Sequence, residues 1–265
     1  MMRKIRTLAL VAGLVAVASP ALATPLYGGN TNPRFTSVDQ GTGAMTSISV
    51  PTYEIQGLAW DFTNGVMYGG NDNNRFFSID GSGVQTLING STSYIINDVV
   101  FGAGGTLYGG NTSGRFFSIN PADGSMTSLG YNINNEYWGL AYDQGTGILY
   151  ATGQSALIAG GYSLYTVNPS NGALTLVGPT KQGVNQYGID AISIDPVTGV
   201  MYGQSNSNLG NDRFWTVDKA TGALTSVNSN TTYEARGLAF VPEPGTLLLL
   251  GAGLLGLAVN GRRRA

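Results

Sequence analysis

Met67–Gly83 reads MYGGNDNNRFFSIDGSG, and the chain says the phrase again and again. Near-copies are LYGGNTNPRFTSVDQGTG from Leu26, LYGGNTSGRFFSINPADG from Leu107 and MYGQSNSNLGNDRFWTVDKATG from Met201, with a looser copy from Leu149. A second phrase precedes it as GLAWD at Gly57–Asp61 and recurs at Gly139–Asp143, Ala191–Asp195 and Gly237–Phe240. A third follows as the series TSISV, QTLIN, MTSLG, LTLVG and LTSVN. Each period therefore predicts four short strands. Turns run from Asp61, Asp143 or Asp195 to a glycine after the first strand, and from Asp39, Asp80, Asn120, Asn168 or Asp218 to a glycine after the third. In such turns the acid or amide bonds its own backbone and glycine takes the left-handed position.

Four-stranded units recurring about every 40 residues, with no 3.6-residue apolar periodicity between them, predict an all-β, five-bladed β-propeller. The body begins on a second strand at Leu26 and ends on a first strand at Gly237–Phe240. The C-terminal strand is thus expected to become the inner strand of the first blade and close the ring, covering sheet edges that invite aggregation. The expected organisation is a signal peptide over 1–23, the propeller over 24–241 and a C-terminal segment with an apolar helix over 242–265.

Composition narrows the chemistry. The 265 residues hold no Cys and no His, which leaves no disulfide, thiol nucleophile, His-based triad or His/Cys metal site. No cofactor and no metal is expected; acids in separate hairpin turns do not converge as calcium requires. Between Thr24 and Val241 seven cationic residues face fourteen acidic ones, a poor surface for nucleic acid.

Both ends read as addresses. Arg3, Lys4 and Arg6 precede an apolar run from Leu8 to Ala18 and an A-x-A site at Ala21 and Ala23, the pattern of a secretory signal peptide cut by signal peptidase. At the other end Pro242-Glu243-Pro244 precedes the apolar run Thr246–Val259 and the basic tail Arg262, Arg263 and Arg264. That run spans about 21 Å as helix, short of a hydrocarbon core unless flanking residues extend it. Gly251, Gly253 and Gly256 match a dinucleotide-binding spacing but have no βαβ unit around them.

The tripartite tail resembles the PEP-CTERM sorting signal. The resemblance implies a transient inner-membrane anchor through the C-terminal helix and processing by an exosortase. It also implies a cell-surface or extracellular destination in a Gram-negative, exopolysaccharide-producing, biofilm-forming bacterium.

Within the body, the positions that vary between copies point to a site. Three residues after an aligned tyrosine (Tyr53, Tyr94, Tyr187, Tyr233, with Asn135 in the remaining copy) stand Gln56, Asn97, Trp138, Asp190 and Arg236. These five are expected to ring the channel mouth, and a repeat that diversifies at a concave mouth is where a ligand is expected. The tyrosines read either as part of that site or as rim packing. Asn30, Asn32, Asn71, Asn73, Asn74 and Asn111 are expected on the same polar loop face, as are longer loops near Ala156–Gly161 and Ser205–Asn211. Arg34, Arg75, Arg115 and Arg213 recur too regularly for a ligand site and are expected to stack on, or pair with, a neighbouring blade.

The expected function is a non-enzymatic surface or matrix protein presenting a polar face to extracellular polysaccharide or a surface protein. The alternative is a propeller that cleaves glycans with Asp190 and a rim glutamate from Glu54, Glu136 or Glu234. A scaffold without ligand is the third reading.

Overall fold

The computed structural model describes residues 24–155, 161–205 and 212–242. The expected signal peptide, the C-terminal segment from Glu243 and most of the two longer loops lie outside the described residues.

Five four-stranded antiparallel sheets follow one another. Blade 1 holds β1 (Leu26–Gly29), β2 (Phe35–Val38), β3 (Met45–Ser49) and, at its inner edge, β22 (Gly237–Phe240). Blade 2 runs through β4 (Gly57–Asp61), β5 (Val66–Gly70), β6 (Phe76–Ile79) and β7 (Gln85–Asn89). Blade 3 has β8 (Asp98–Phe101), β9 (Leu107–Gly110), β10 (Arg115–Ile119) and β11 (Met126–Tyr131). Blade 4 has β12 (Gly139–Asp143), β13 (Ile148–Ser155), β14 (Gly161–Val167) and β15 (Leu174–Pro179). A small hairpin, β16 (Lys181–Gln182) with β17 (Asn185–Gln186), leads to blade 5: β18 (Ala191–Ile194), β19 (Met201–Ser205), β20 (Arg213–Val217) and β21 (Leu224–Asn228). The last strand pairs with the first, Leu26 opposite Phe240 and Gly29 opposite Gly237. The ring is closed as the repeat requires.

The quoted phrase follows from the packing. Blades stack face to face, so the three inner strands of each blade bury both faces and consecutive side chains enter different cores, while the outermost strand stays largely open. Phe76 joins Ile96, Val99 and Leu107 of blade 3 and its connector. Its neighbour Phe77 joins Phe35 and Leu58 in the cluster between blades 1 and 2. Five such clusters fill the five blade interfaces. The tyrosine of MYGG stacks on the first aromatic of the third strand, as in Tyr68–Phe76 at 5.6 Å and Tyr27–Phe35 at 5.2 Å between ring centroids.

The double glycine serves close approach. A Cβ on Gly69 would meet the Phe77 ring at 2.6 Å, and one on Gly70 would meet Ile96 at 2.5 Å. Gly70→Val therefore forces Ile96 out of its place beneath the strand. It is expected to cost about 2–3 kcal/mol, the range for overpacking a tight core, read as a lowered denaturation midpoint with unchanged strand content. An unshifted midpoint would show that Ile96 relocates freely.

The turn acids bond as expected. Asp61 accepts from the backbone N–H groups of Thr63 and Asn64 at 2.8 and 3.0 Å, and Asp143 from that of Gly145 at 2.9 Å. Asp143 also accepts from Lys219 of blade 5 at 2.6 Å.

Candidate ligand-binding mouth

Inner strands run from the mouth to the opposite face, so the residue just before each strand stands at the channel entrance. Gln56, Asn97, Trp138, Asp190 and Arg236 all line one cavity of about 290 Å³, together with Thr112, Glu136, Tyr162 and Gly188. One wall is aromatic: Trp138 and Tyr162 lie 5.4 Å apart with rings tilted by 48°. Gly188 leaves room for the indole, since a Cβ there would come within 2.6 Å of it. The Trp138 indole N–H donates to Glu136. The other wall is amide: Asn97 donates to Gln56 Oε1 at 3.2 Å and accepts from the Thr112 N–H at 2.9 Å.

The cationic group of the lining is engaged by acids. Arg236 pairs through Nε with Glu234. Burial opposes its charge, but the hydrogen bond and charge of Glu234, with the charges of Asp190 and Asp72, hold its pKa above the usual value. Of the three rim glutamates, Glu136 lines the cavity, Glu234 bonds Arg236, and Glu54 lies outside the lining.

The four tyrosines do not line this cavity. Each lies beneath a recurring arginine: Arg34 over Tyr233, Arg75 over Tyr53 and Arg115 over Tyr94 at 4.9 Å, and Arg213 over Tyr187 at 5.1 Å. The arginine stacks on the connector entering its own blade, not on a neighbouring blade, because strand three and that connector meet at the same rim. Such contacts contribute about 0.5–2 kcal/mol each. In blade 4, where Ser163 replaces arginine, the adjacent Tyr162 packs on Trp138 instead.

Half of the asparagine face is also internal. Asn30, Asn71 and Asn111 are buried, and their amides donate to the connector carbonyls of Glu234, Glu54 and Ile95. An amide following the double glycine is thus a clasp between two loops, and burying it leaves it unavailable to solvent.

Two residues were missed in the sequence. Tyr137 occupies the place of Ile55 and Ile96, its hydroxyl donating to the Gly172 carbonyl, and burial pushes it up to about 12. Asp98 stands where the other inner strands begin with Gly57, Gly139, Ala191 and Gly237. It is 1% exposed and accepts from backbone N–H groups of Leu140 at 2.6 Å, Val99 at 2.8 Å and Leu58 at 3.4 Å. A single acid at a small-residue position was the available signal.

The two ends of the body meet on the face opposite the mouth. The Val241 N–H donates to the Pro25 carbonyl at 2.9 Å, and Thr24 reaches the turn acid Asp195 at 3.4 Å. What leaves this face decides the destination: residues 240–264 match the PEP-CTERM protein-sorting motif. The chain carries a PEP-CTERM sorting signal. It marks the protein as an exosortase substrate, exported and sorted to the cell surface. Pro242 is described; Glu243, Pro244 and the arginine tail lie outside the described residues.

No curated protein matches the chain. Among solved structures it is similar to a gluconolactonase, XC5397 of Xanthomonas campestris, with TM-score 0.52 and 13% identity over 81% of this chain and 79% of that one. It is likewise similar to a chain of the nidogen/laminin complex, with TM-score 0.53 and 12% identity over 82% of this chain and 98% of that one. One is an enzyme and the other comes from a protein–protein complex. At such identities the likeness is one of fold alone.

Proposed function

We propose that this PEP-CTERM protein is a non-enzymatic surface or matrix propeller that holds a carbohydrate at its mouth. The observation carrying this reading is the convergence of five divergent positions, Gln56, Asn97, Trp138, Asp190 and Arg236, on one polar cavity with an aromatic wall. Amides and carboxylates bond hydroxyl groups, and an aromatic face takes the apolar side of a sugar ring. The sorting signal leaves from the opposite face, so an anchored protein presents the mouth outward. A protein ligand or a scaffold without ligand predicts no affinity for sugars.

Polysaccharide of the producing cell is the probe. The exported protein is expected to be retained on it, and Trp138→Ala to lose about tenfold in affinity, the scale of a stacked aromatic anchor, with an unchanged melting point. No retention on any carbohydrate would overturn the reading.

Asp190 and Glu136 line the same cavity, which favours glycan cleavage as the second reading. It needs carboxyl groups about 5–9.5 Å apart. Hydrolysis of that polysaccharide by the wild type, abolished in Asp190→Asn, would establish it in place of the binding reading.

A further inference from the structure

Amide orientation in the mouth is dictated by one backbone group. The Thr112 N–H can only donate, so the Asn97 atom it meets at 2.9 Å is the oxygen. That turns Asn97 Nδ2 toward Gln56, whose facing atom must then be Oε1, at 3.2 Å. The relay ends with Gln56 Nε2. Gln56 is 3% exposed and lines the cavity, yet among the described residues its Nε2 has no hydrogen-bond partner. An amide whose free donor is the part of it that reaches the cavity offers that donor to an acceptor on a ligand.

On the lining the charge runs the other way. The cationic Arg236 is bonded by Glu234. Glu136 uses Oε2 for the Trp138 indole N–H, while its Oε1 has no hydrogen-bond partner among the described residues. Asp190 adds a second carboxylate to the same cavity lining. A carboxylate-bearing sugar would add negative charge where Arg236 is already engaged; a protonated amine would meet Glu136 in the field of Asp190.

Resting on the carbohydrate reading, we propose that the mouth is an amino-sugar subsite. Gln56 Nε2 donates to a ligand oxygen, Glu136 accepts from a protonated amine, and the Trp138–Tyr162 pair supports the ring. Asn97 is a positioning residue that fixes which end of the Gln56 amide faces the ligand. The cavity of about 290 Å³ sits at the small end of ligand sites, which suits one sugar residue of a chain.

Three tetrasaccharides test this by calorimetry on the exported protein at a pH where amines are protonated: β-1,4-linked glucosamine, its N-acetylated counterpart and an oligouronate. The glucosamine oligomer is expected to bind about tenfold tighter than either, the scale of one charged hydrogen bond. Glu136→Gln should erase that preference while keeping binding to the N-acetylated chain. Asn97→Asp still accepts from Thr112 but now accepts from Gln56 as well, so the amide flips and shows the cavity an oxygen. Gln56→Glu shows an oxygen directly. Both should lose about tenfold for the N-acetylated oligomer, which carries no cation for the added carboxylate to attract. A wild type that binds the N-acetylated or uronate chain as tightly or tighter overturns the amino-sugar subsite and leaves carbohydrate binding standing. A loss with Gln56→Glu that Asn97→Asp does not share on the N-acetylated oligomer overturns the relay. Binding to none of the three overturns this inference alone where the protein is still retained on the producing cell's polysaccharide, and the function beneath it as well where it is not.

Discussion

A chain ending at Arg236, without β22, is expected to lose the cooperative fold. The strand carries Leu238, Ala239 and Phe240, all 4% exposed or less, and these side chains sit in the clusters joining blade 1 to blades 5 and 2. Burial of a Leu and a Phe contributes about 1.5–3 kcal/mol each. With the ladder to β1 also gone, the loss is about 5 kcal/mol, comparable to the whole stability of a modest domain. The edge of β1 would also stand open to pairing with other chains. Circular dichroism melting and sedimentation should show an aggregating product without a sharp transition. A chain ending at Pro242 keeps β22 and should melt cooperatively. A truncated chain melting within a few degrees of it would show that the ring does not depend on its closing strand.

Asp98→Asn is expected to be nearly as damaging, although it changes one atom. The carboxyl group, whose oxygens accept whether or not it carries a proton, takes the Leu140 N–H on one oxygen and the Val99 and Leu58 N–H groups on the other, joining the inner strands of blades 2, 3 and 4. Asparagine turns one of those acceptors into a donor facing a donor. Buried groups left unpaired cost about 1–3 kcal/mol each, so a loss of about 2–4 kcal/mol is expected from chemical denaturation.

The acid also predicts a pH dependence. Burial raises the Asp98 carboxyl well above its ordinary 3.8, against the pull of the Leu140, Val99 and Leu58 N–H groups. Between 3.8 and that raised value the folded chain holds a proton that the unfolded chain has released. Stability from this group is therefore full below 3.8 and falls as pH rises through the window. Asp61 and Asp143 shift the other way, despite burial, through their turn hydrogen bonds and Lys219; their contribution is lost as pH falls. The difference between wild type and Asp98→Asn isolates the Asp98 slope. A difference that does not change with pH would mean the folded carboxyl titrates as the unfolded one does.

Much of this protein was legible in the chain because a repeat states its own geometry. The aromatic at Tyr68, the double glycine and the Phe76-Phe77 pair recur because every blade must clear the same neighbours and bury both faces. The mouth positions were legible for the opposite reason: Gln56, Asn97, Trp138, Asp190 and Arg236 differ where the scaffold places no demand. Tyrosines on adjacent positions stayed open between two readings and asparagines misled, because recurrence looks alike for a contact to solvent and a contact to the next loop. Tyr53 and Asn71 are kept out of the mouth cavity by contacts that sequence spacing does not encode.

The amino-acid sequence by itself determined the number of blades, the closure by Gly237–Phe240 and the C-terminal sorting signal. Each rests on local pattern: strand alternation, turn chemistry and the order of motif, apolar run and arginines. Only the tertiary structure decided which polar residues line the mouth and which are clasps. Gln56 presents a donor because a backbone N–H 56 residues away fixes Asn97. Asp98 is internal because two other blades bring their amides to it. Hydrogen-bond direction and burial are set by partners distant along the chain, and those partners meet only when the ring closes.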